Sequence, residues 1–230
     1  MYQVRSVSIV IPALNEEQAI ERVVRSVPRD ELASLGYETQ VLVVDNGSTD
    51  RTGELARAAG AEVVLEPNRG YGRAYKAGFA HATGDIVVSA DADLTYPLET
   101  LPELVSLMVS DGLEFISANR LKAMAEGAMS FRNRVGNTLL SIMVRLLFRV
   151  KLADSQSGMW LVRKDLLDRL ELKSDGMPLS AEIKIKAIRL AKAWREVPIE
   201  YRPRVGEVKL RVWRDGLDNV MSMLRLRLGR

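Results

Sequence analysis

Two aspartates stand one residue apart, directly after an apolar segment. Asp91 and Asp93 follow residues 85–89, whose isoleucine and valines are typical of a buried strand. Carboxylates at the end of such a strand are the hard oxygen ligands that Mg²⁺ or Mn²⁺ prefers, and the cation can bridge to a diphosphate. Aspartates are also common in ordinary exposed turns. The other polar residues must therefore decide between a metal site and a turn.

Apolar strands alternate with helices before these aspartates. The predicted strands are residues 7–11, 40–45, 63–65 and 86–90. We expect Asn15 to cap the first helix, and the alternation predicts an α/β fold whose mostly parallel sheet is flanked by helices. Ligands bind at the carboxyl ends of the strands in such sheets, and Pro12, Asp45 and Asp91 follow three of those ends. We therefore expect an active site at this edge.

The composition is that of an ordinary globular protein. The 230 residues include 33 basic and 30 acidic side chains, and the net charge of +3 gives no reason to expect a nucleic-acid partner. One histidine and no cysteine disfavour a histidine-rich metal site, a Ser-His-Asp triad and disulfides. No signal peptide is visible, and no apolar run approaches the roughly 20 residues that span a bilayer. We expect a cytoplasmic location.

The glycines at the start of the third predicted helix suggest a dinucleotide-binding loop at first sight. Gly70 and Gly72 lack a third glycine at the required spacing and follow the third strand, so the dinucleotide fingerprint fails. Two interpretations stay open. The glycines could permit a turn and a close contact between helix and sheet, or they could form a backbone-lined wall beside a nucleotide.

Several motifs resemble those of family 2 glycosyltransferases, in the same order. They are Ile9-Val10-Ile11-Pro12-Ala13-Leu14-Asn15-Glu16, Val43-Val44-Asp45-Asn46-Gly47-Ser48-Thr49-Asp50, Asn68-x-Gly70-x-Gly72-x-Ala74 and Asp91-Ala92-Asp93. The second half is similar to dolichyl-phosphate (polyprenyl-phosphate) mannosyl- and glucosyltransferases. The supporting residues there are Asn119-Arg120, Arg132-Asn133-Arg134, Gly136-Asn137, Asp154-Ser155-Gln156-Ser157-Gly158-Met159 and Arg204-x-Gly206-x-x-Lys209-Leu210.

The resemblance implies one GT-A (Rossmann-like) domain over residues 1–230. Residues 1–118 would bind a nucleoside-diphosphate sugar, and residues 119–230 would bind the acceptor and end in an amphipathic helical part. The resemblance also implies a divalent cation, Mg²⁺ or Mn²⁺, and inversion at the anomeric carbon.

On the donor side, the family implies a role for seven positions. Asp91 and Asp93 would hold the metal against the diphosphate, and Asp45 would accept hydrogen bonds from the ribose or the base. The chain departs from the family at Leu14, where an aromatic residue is frequent, and at Thr95, where the mannosyl enzymes often have glutamine. The donor-side candidates are Pro12, Leu14, Glu16, Asp45, Asp91, Ala92 and Asp93.

On the acceptor side, the reaction needs cations beside two phosphates. Guanidinium groups suit phosphate oxygens, although most of the 33 basic residues must simply be solvated. The matched candidates are Arg120, Arg134, Arg204 and Lys209. Together with Asp93, Arg120 and Lys209 are predicted to act directly in the transfer. Asp154 is interpreted as structural or acceptor-positioning, whereas Glu182 is either a catalytic carboxylate or an acid favoured by a helix N-terminus.

Two segments could contact a membrane. Residues 131–150 and the tail from residue 220 combine apolar positions at helical spacing with several arginines, which is typical of helices that lie in a lipid headgroup layer. A core helix with surface arginines explains the first segment equally well. Residues 121–130 have no clear periodicity, and we expect a mobile flap there.

The sequence therefore predicts a metal-dependent, inverting glycosyltransferase. It would move a hexose from GDP-mannose or UDP-glucose to dolichyl or polyprenyl phosphate, at the cytosolic face of a membrane and with a possible membrane-anchoring partner. The alternatives are a family 2 enzyme with a soluble or saccharide acceptor and a non-catalytic nucleotide-sugar binding module.

Overall fold

A seven-stranded sheet organises the computed structural model, which describes residues 4–206 and 212–228. The strand order is β3-β2-β1-β4-β6-β5-β7. The strands are β1 (Ser6–Ala13), β2 (Glu38–Asp45), β3 (Glu62–Leu65), β4 (Ile86–Ser89), β5 (Phe115–Met124), β6 (Trp160–Arg163) and β7 (Trp194–Tyr201). The helices are α1 (Ile20–Arg25), α2 (Arg29–Ser34), α3 (Thr52–Ala58), α4 (Tyr71–His81), α5 (Leu101–Ser110), α6 (Phe131–Phe148), α7 (Lys164–Leu167), α8 (Leu179–Leu190) and α9 (Val212–Leu228).

The sheet is mostly parallel, which confirms the predicted α/β class. Strands β1 to β4 are parallel where they pair, and β6 runs antiparallel between β4 and β5. All four predicted strands are present. The prediction that the first strand stops before Pro12 is wrong, because Pro12 and Ala13 still pair in register with Val44 and Asp45 of β2.

Apolar side chains cover both faces of the sheet. On one face Ile9 and Ile11 of β1 pack with helices α1 and α5, whereas Val10 of the same strand faces Tyr75 and Phe79 of α4. Successive strand residues point to opposite faces, so a sheet buried on both faces needs uninterrupted apolar strands. This requirement explains the apolar runs that made the first half predictable.

The first helix begins later than predicted. It starts at Ile20 and has no side-chain cap, while Asn15 adopts a left-handed conformation with φ 51°. Its Oδ1 accepts a hydrogen bond from the Thr49 amide at 2.8 Å. Asparagine tolerates this conformation and bonds readily in turns, so Asn15 connects two loops instead of capping a helix. The short helix α2 was not predicted at all.

The expected flap at residues 121–130 is only partly irregular. Strand β5 continues through Met124, and Ala123 and Met124 pair with Glu200 and Tyr201 of β7. A register shift between Asn119 and Ala123 interrupts the ladder. The break in periodicity therefore reflects a strand irregularity, and the predicted flap is wrong for residues 121–124.

Helices α6, α8 and α9 form a separate apolar cluster beside the sheet. Val144 and Phe148 of α6 pack with Ile185 of α8 and Met223 of α9. Both candidate membrane segments are therefore helical, as predicted. Within the described residues, no helix has the length and apolar character needed to cross a bilayer.

Candidate active site

Three strand ends meet at one edge of the sheet, as predicted. Strands β1, β2 and β4 are adjacent and parallel, and Ala13 at the end of β1 lies in register with Asp45 at the end of β2. Pro12 is half-buried next to them, and Asp91 follows β4 on the other side. Parallel pairing thus brings the polar ends of three separate segments together.

Side-chain hydrogen bonds connect the loop after β1 with the segment that begins α3 and order the loop after β2. Thr52 Oγ1 accepts the Glu16 amide at 2.8 Å, and Asp45 Oδ1 accepts the Ser48 amide at 2.8 Å. A groove of about 430 Å³ lies against these loops. Its lining includes Leu14, Glu16, Thr49, Asp50, Arg69 and Gly206. Two of the donor-side candidates, Leu14 and Glu16, therefore border one concave surface.

Asp93 is the most deeply buried carboxylate of this edge, at 1% exposure. Its Oδ1 accepts hydrogen bonds from the Thr95 amide at 3.1 Å and from the Thr95 hydroxyl at 2.6 Å. Its Oδ2 lies 2.5 Å from Nη2 of Arg204, whose Nη1 is 4.0 Å from Oε1 of Glu16. Arg204 thus bridges two acidic side chains from different strand ends.

The chain segment around Arg204 packs directly on the loop that contains Asp93. The Val205 amide donates to the Asp93 carbonyl and the Arg202 amide donates to the Thr95 carbonyl, both at 3.0 Å. Gly206 follows with φ +95°. Lys209, the predicted acceptor-side cation in this region, lies outside the described residues.

Asp91 lies half-buried at the same edge. A Cβ added at Gly158 would lie 2.9 Å from Asp91 Oδ1 and 3.1 Å from the Tyr71 hydroxyl. The close contact between the backbone of residue 158 and the Asp91 side chain therefore requires glycine at this position. Burial and the charge of Asp93 raise the pKa of Asp91 to about 7, against the opposing effect of Arg204. Ala92, between the two aspartates, is buried.

Arg120 forms a buried pair with Asp154. Its Nε and Nη2 donate to Asp154 Oδ2 and Oδ1 at 2.8 and 2.9 Å, and its backbone amide donates to Oδ2 at 3.0 Å. The guanidinium carbon also lies 5.3 Å from the centre of the Tyr201 ring. Burial alone would raise the pKa of Asp154, but Arg120 and Lys184 hold it at about 2. The contacts support the structural interpretation of Asp154.

The remaining acceptor-side candidate is placed differently. Arg134 lies in the first turn of α6, where its side chain is exposed. The structure therefore brings Arg120 and Arg204 to the polar edge as buried or half-buried side chains, and it leaves Arg134 on the surface.

Glu182 is buried, and its carboxylate accepts hydrogen bonds from neighbouring backbone amides. Its carboxylate accepts the amides of Lys173 and Ser174 at 2.9 and 2.7 Å and pairs with Lys186 at 2.7 Å. Glu182 therefore anchors the loop before α8.

The same loop explains Gly70 and Gly72. A Cβ on Gly72 would lie 2.3 Å from the Ser174 carbonyl, and one on Gly70 would lie 2.5 Å from the Asp175 carbonyl. The close contact that these glycines permit is with this loop, whereas the sequence suggested a contact with the sheet.

Sequence reasoning missed Lys184 and Glu196. Lys184 is fully buried in α8, and Glu196 of β7 accepts the amides of Ala153 and Asp154. Lys184 lies four residues after Ser180 and three before Ala187, which are also buried. Residues 179–185 of α8 are all buried, so burial is not confined to one face of the helix, and no spacing in the sequence singled out Lys184.

The donor set at this edge fits a divalent cation. Asp91 and Asp93 offer carboxylate oxygens, and the guanidinium of Arg204 already occupies a cation position beside Asp93 Oδ2. Among the described residues, no group of three or more histidine, cysteine or acidic side chains has a metal-binding arrangement. Such a pair suits Mg²⁺ or Mn²⁺, which commonly use one or two carboxylates and complete their coordination with substrate phosphates and water.

The chain matches a known protein family. Residues 8–171 match the model of glycosyl transferase family 2. A dolichyl-phosphate hexose transferase from Haloferax volcanii is 36% identical over 209 residues, covering 91% of this chain and 88% of that protein. The low-salt glycan biosynthesis hexosyltransferase Agl6 of the same organism is 34% identical over 95% of this chain, which spans 53% of Agl6.

Solved structures have the same architecture. Glucosyl-3-phosphoglycerate synthase from Mycobacterium tuberculosis, in complex with Mn²⁺, uridine diphosphate and phosphoglyceric acid, superposes with a TM-score of 0.75 and 25% identity. The alignment covers 98% of this chain and 79% of that protein. A complex of the same synthase with Mg²⁺ and uridine diphosphate gives a TM-score of 0.73 at 26% identity.

The Asp154–Arg120 pair predicts a specific loss of stability in acid. Because the folded-state pKa of Asp154 lies near 2, below its ordinary value of 3.8, its contribution is present above about pH 4 and is lost as the pH falls towards 2. The shift corresponds to about 2 kcal/mol of the free energy of unfolding. Urea denaturation between pH 7 and pH 2 measures it. Asp154→Asn should be less stable at pH 7 and should lose less stability across pH 4 to 2; equal losses in both proteins would contradict the prediction.

Proposed function

Because this chain belongs to glycosyltransferase family 2, we propose that it transfers a hexose from a nucleoside-diphosphate sugar to a dolichyl or polyprenyl phosphate. The chain is a glycosyltransferase with a GT-A fold. The observation that carries the proposal is the position of Arg204 and Arg120, two cations of the second half, at an edge that also holds Asp91 and Asp93. The name of the Haloferax relative supports a lipid phosphate as acceptor.

Residues 1–118 supply the donor side of the proposed site. Pro12, Glu16 and Asp45 would line the base and ribose pocket, since they border the loops at the ends of β1 and β2. Leu14 borders the groove and offers an apolar surface without aromatic stacking. Ala92 would bring its backbone near the ribose.

Asp91 and Asp93 are the proposed ligands of Mg²⁺ or Mn²⁺. When bound, the cation would offset the negative charge that develops on the departing nucleoside diphosphate. Thr95 holds the Asp93 carboxylate in a fixed orientation through two hydrogen bonds. Arg204 brings a positive charge to the other oxygen of this carboxylate, Oδ2, and would help to bind phosphate.

The acceptor phosphate would attack the anomeric carbon of the hexose. A phosphate oxygen forms the new bond to this carbon, the bond to the nucleoside diphosphate breaks, and the configuration inverts. A phosphate monoester is already anionic at neutral pH, because its second pKa is about 6, so the attack needs no dedicated base. The saturated contacts of Glu182 agree with that expectation. Arg120, Arg134 and Lys209 are proposed to bind the acceptor phosphate.

The outer face of α6 and α9 is the proposed membrane contact. Phe131, Leu139 and Leu146 of α6 are 82%, 61% and 76% exposed, and Leu217 and Leu228 of α9 are 63% and 69% exposed. The sequence of α6 has no acidic residue but contains three arginines. Exposed apolar side chains beside arginines suit an anionic lipid surface. We place the enzyme at the cytosolic face of a membrane, where a membrane-anchoring partner could assist it.

A soluble phosphorylated acceptor is the second candidate. The structural similarity to a synthase solved with phosphoglyceric acid favours it. Both acceptors present a phosphate, so the cations of the site do not distinguish them. The two candidates are distinguished by the product in which the transferred sugar is found, a lipid or a soluble phosphate ester.

Transfer of radiolabelled hexose tests the choice of acceptor. GDP-mannose and UDP-glucose are each incubated with the protein, Mg²⁺, and either polyprenyl phosphate or 3-phosphoglycerate. We expect label from one donor to move into the organic phase with the lipid acceptor. Asp93→Asn should reduce this transfer by at least about a hundredfold, since it removes a metal ligand. Exposed Asp165 provides the control variant Asp165→Asn, which should keep it. Label found only in phosphoglycerate would contradict the proposal.

Vesicle cosedimentation tests the membrane contact. The double variant Leu139→Ser and Leu146→Ser should bind vesicles containing anionic phospholipid at least about tenfold more weakly than the wild type, because it removes two apolar side chains from the contact. Leu65 on edge strand β3 is 68% exposed and gives the matched control Leu65→Ser. An equal loss in the control would contradict a role for the outer face of α6.

A further inference from the structure

Lys184 is a fully buried lysine whose neighbours belong to two apolar clusters. Ile183 packs against the sheet with α4, whereas Ile185 packs with α6 and α9. Burial lowers the pKa of Lys184 to about 7, although the charge of Asp154 opposes this effect. Burying an ammonium group costs several kcal/mol unless it is well paired. An apolar side chain would fill the same space without that cost, so the amine must provide a contact that such a side chain lacks.

That contact is with the backbone of Asp154. Lys184 Nζ donates to the Asp154 carbonyl at 3.0 Å. Glu196 Oε1 accepts the amide of the same residue at 2.8 Å, and it also accepts the Ala153 amide at 2.9 Å. The two backbone polar groups of Asp154 are therefore held by side chains from two different elements, α8 and β7.

The side chain of Asp154 links the position of its backbone to the orientation of the Arg120 side chain. Two parallel hydrogen bonds, at 2.8 and 2.9 Å, join its carboxylate to the guanidinium group. Paired bonds of this kind fix the plane of the guanidinium as well as its distance. Tyr201 supports the group on its ring face at 5.3 Å. A displacement of the Asp154 backbone would consequently turn the plane of the guanidinium.

We propose that Lys184 is a positioning residue, which sets the orientation of the Arg120 guanidinium by holding the carbonyl of Asp154. Lys184 does not contact the acceptor itself; it acts on Arg120 through the carbonyl and the carboxylate of Asp154. The proposal rests on the proposed function in one respect, the assignment of Arg120 to the acceptor phosphate. The positioning of Arg120 is itself independent of the acceptor.

Lys184→Met tests this role, because it keeps an unbranched side chain, shorter than lysine by one heavy atom, and removes the donor. We expect the melting temperature to stay at or above the wild-type value, since a buried charge is replaced by an apolar group. The Nε–H resonance of Arg120 in a ¹H–¹⁵N correlation spectrum should shift, and Arg120→Lys identifies that resonance by its loss. For hexose transfer, kcat should fall about tenfold while the donor KM stays unchanged.

Three further variants complete the experiment. Lys184→Gln retains a donor and should shift the Arg120 resonance less than Lys184→Met does, whereas Lys184→Leu also lacks the donor and replaces Lys184→Met if that variant does not fold. Lys192→Met removes an exposed lysine just beyond α8 and should leave the resonance unchanged. An unshifted Arg120 resonance in a folded variant that lacks the donor, Lys184→Met or Lys184→Leu, would overturn the proposal. A shifted resonance in a protein whose wild type fails to glycosylate polyprenyl phosphate would support positioning and reject the proposed acceptor.

Discussion

Buried carboxylates at the carboxyl end of the sheet depend on guanidinium groups from the second half of the chain. Asp93 follows β4, and its charge is balanced by Arg204 from the segment after β7. Asp154 and Arg120 form the second pair, near the register shift of β5. Removing one partner of a buried pair typically costs about 3–5 kcal/mol, because the remaining charge is left without compensation. The Arg204–Asp93 pair therefore ties residues 119–230 to the edge formed by the first half of the chain, whereas the Arg120–Asp154 pair stabilises the second half internally.

The loop between α6 and β6 connects the proposed membrane-facing helices with this edge. At one end Ser155 is bonded to Ser141 of α6, with the Ser155 amide 3.0 Å from Ser141 Oγ. At the other end Gly158 lies against Asp91, and its amide donates to the Tyr96 hydroxyl at 2.6 Å. Asp154 lies in the same loop. A single short segment thus contacts α6, the Arg120 pair and one of the two proposed metal ligands.

Local patterns predicted the first half of the fold well. Apolar runs located β1, β2, β3 and β4, and the rule for parallel sheets brought Pro12, Asp45 and Asp91 to one edge. Contacts between residues distant in sequence decided the rest. Asn15 bonds to Thr49 instead of capping a helix, and Gly72 accommodates the carbonyl of Ser174, roughly one hundred residues away. Lys184 lies in a helix whose residues 179–185 are all buried, and its partner Asp154 is specified only by the tertiary fold.

Manganese binding measured by electron paramagnetic resonance tests the central claim that Asp91 and Asp93 hold a cation against a nucleoside diphosphate. Titrations of Mn²⁺ with and without uridine or guanosine diphosphate would be compared between the wild type and Asp93→Asn. We predict that one of these nucleotides tightens Mn²⁺ binding by the wild type, and that Asp93→Asn removes this effect while Asp165→Asn retains it. Unchanged nucleotide-dependent Mn²⁺ binding in Asp93→Asn would contradict a metal-binding role for Asp93.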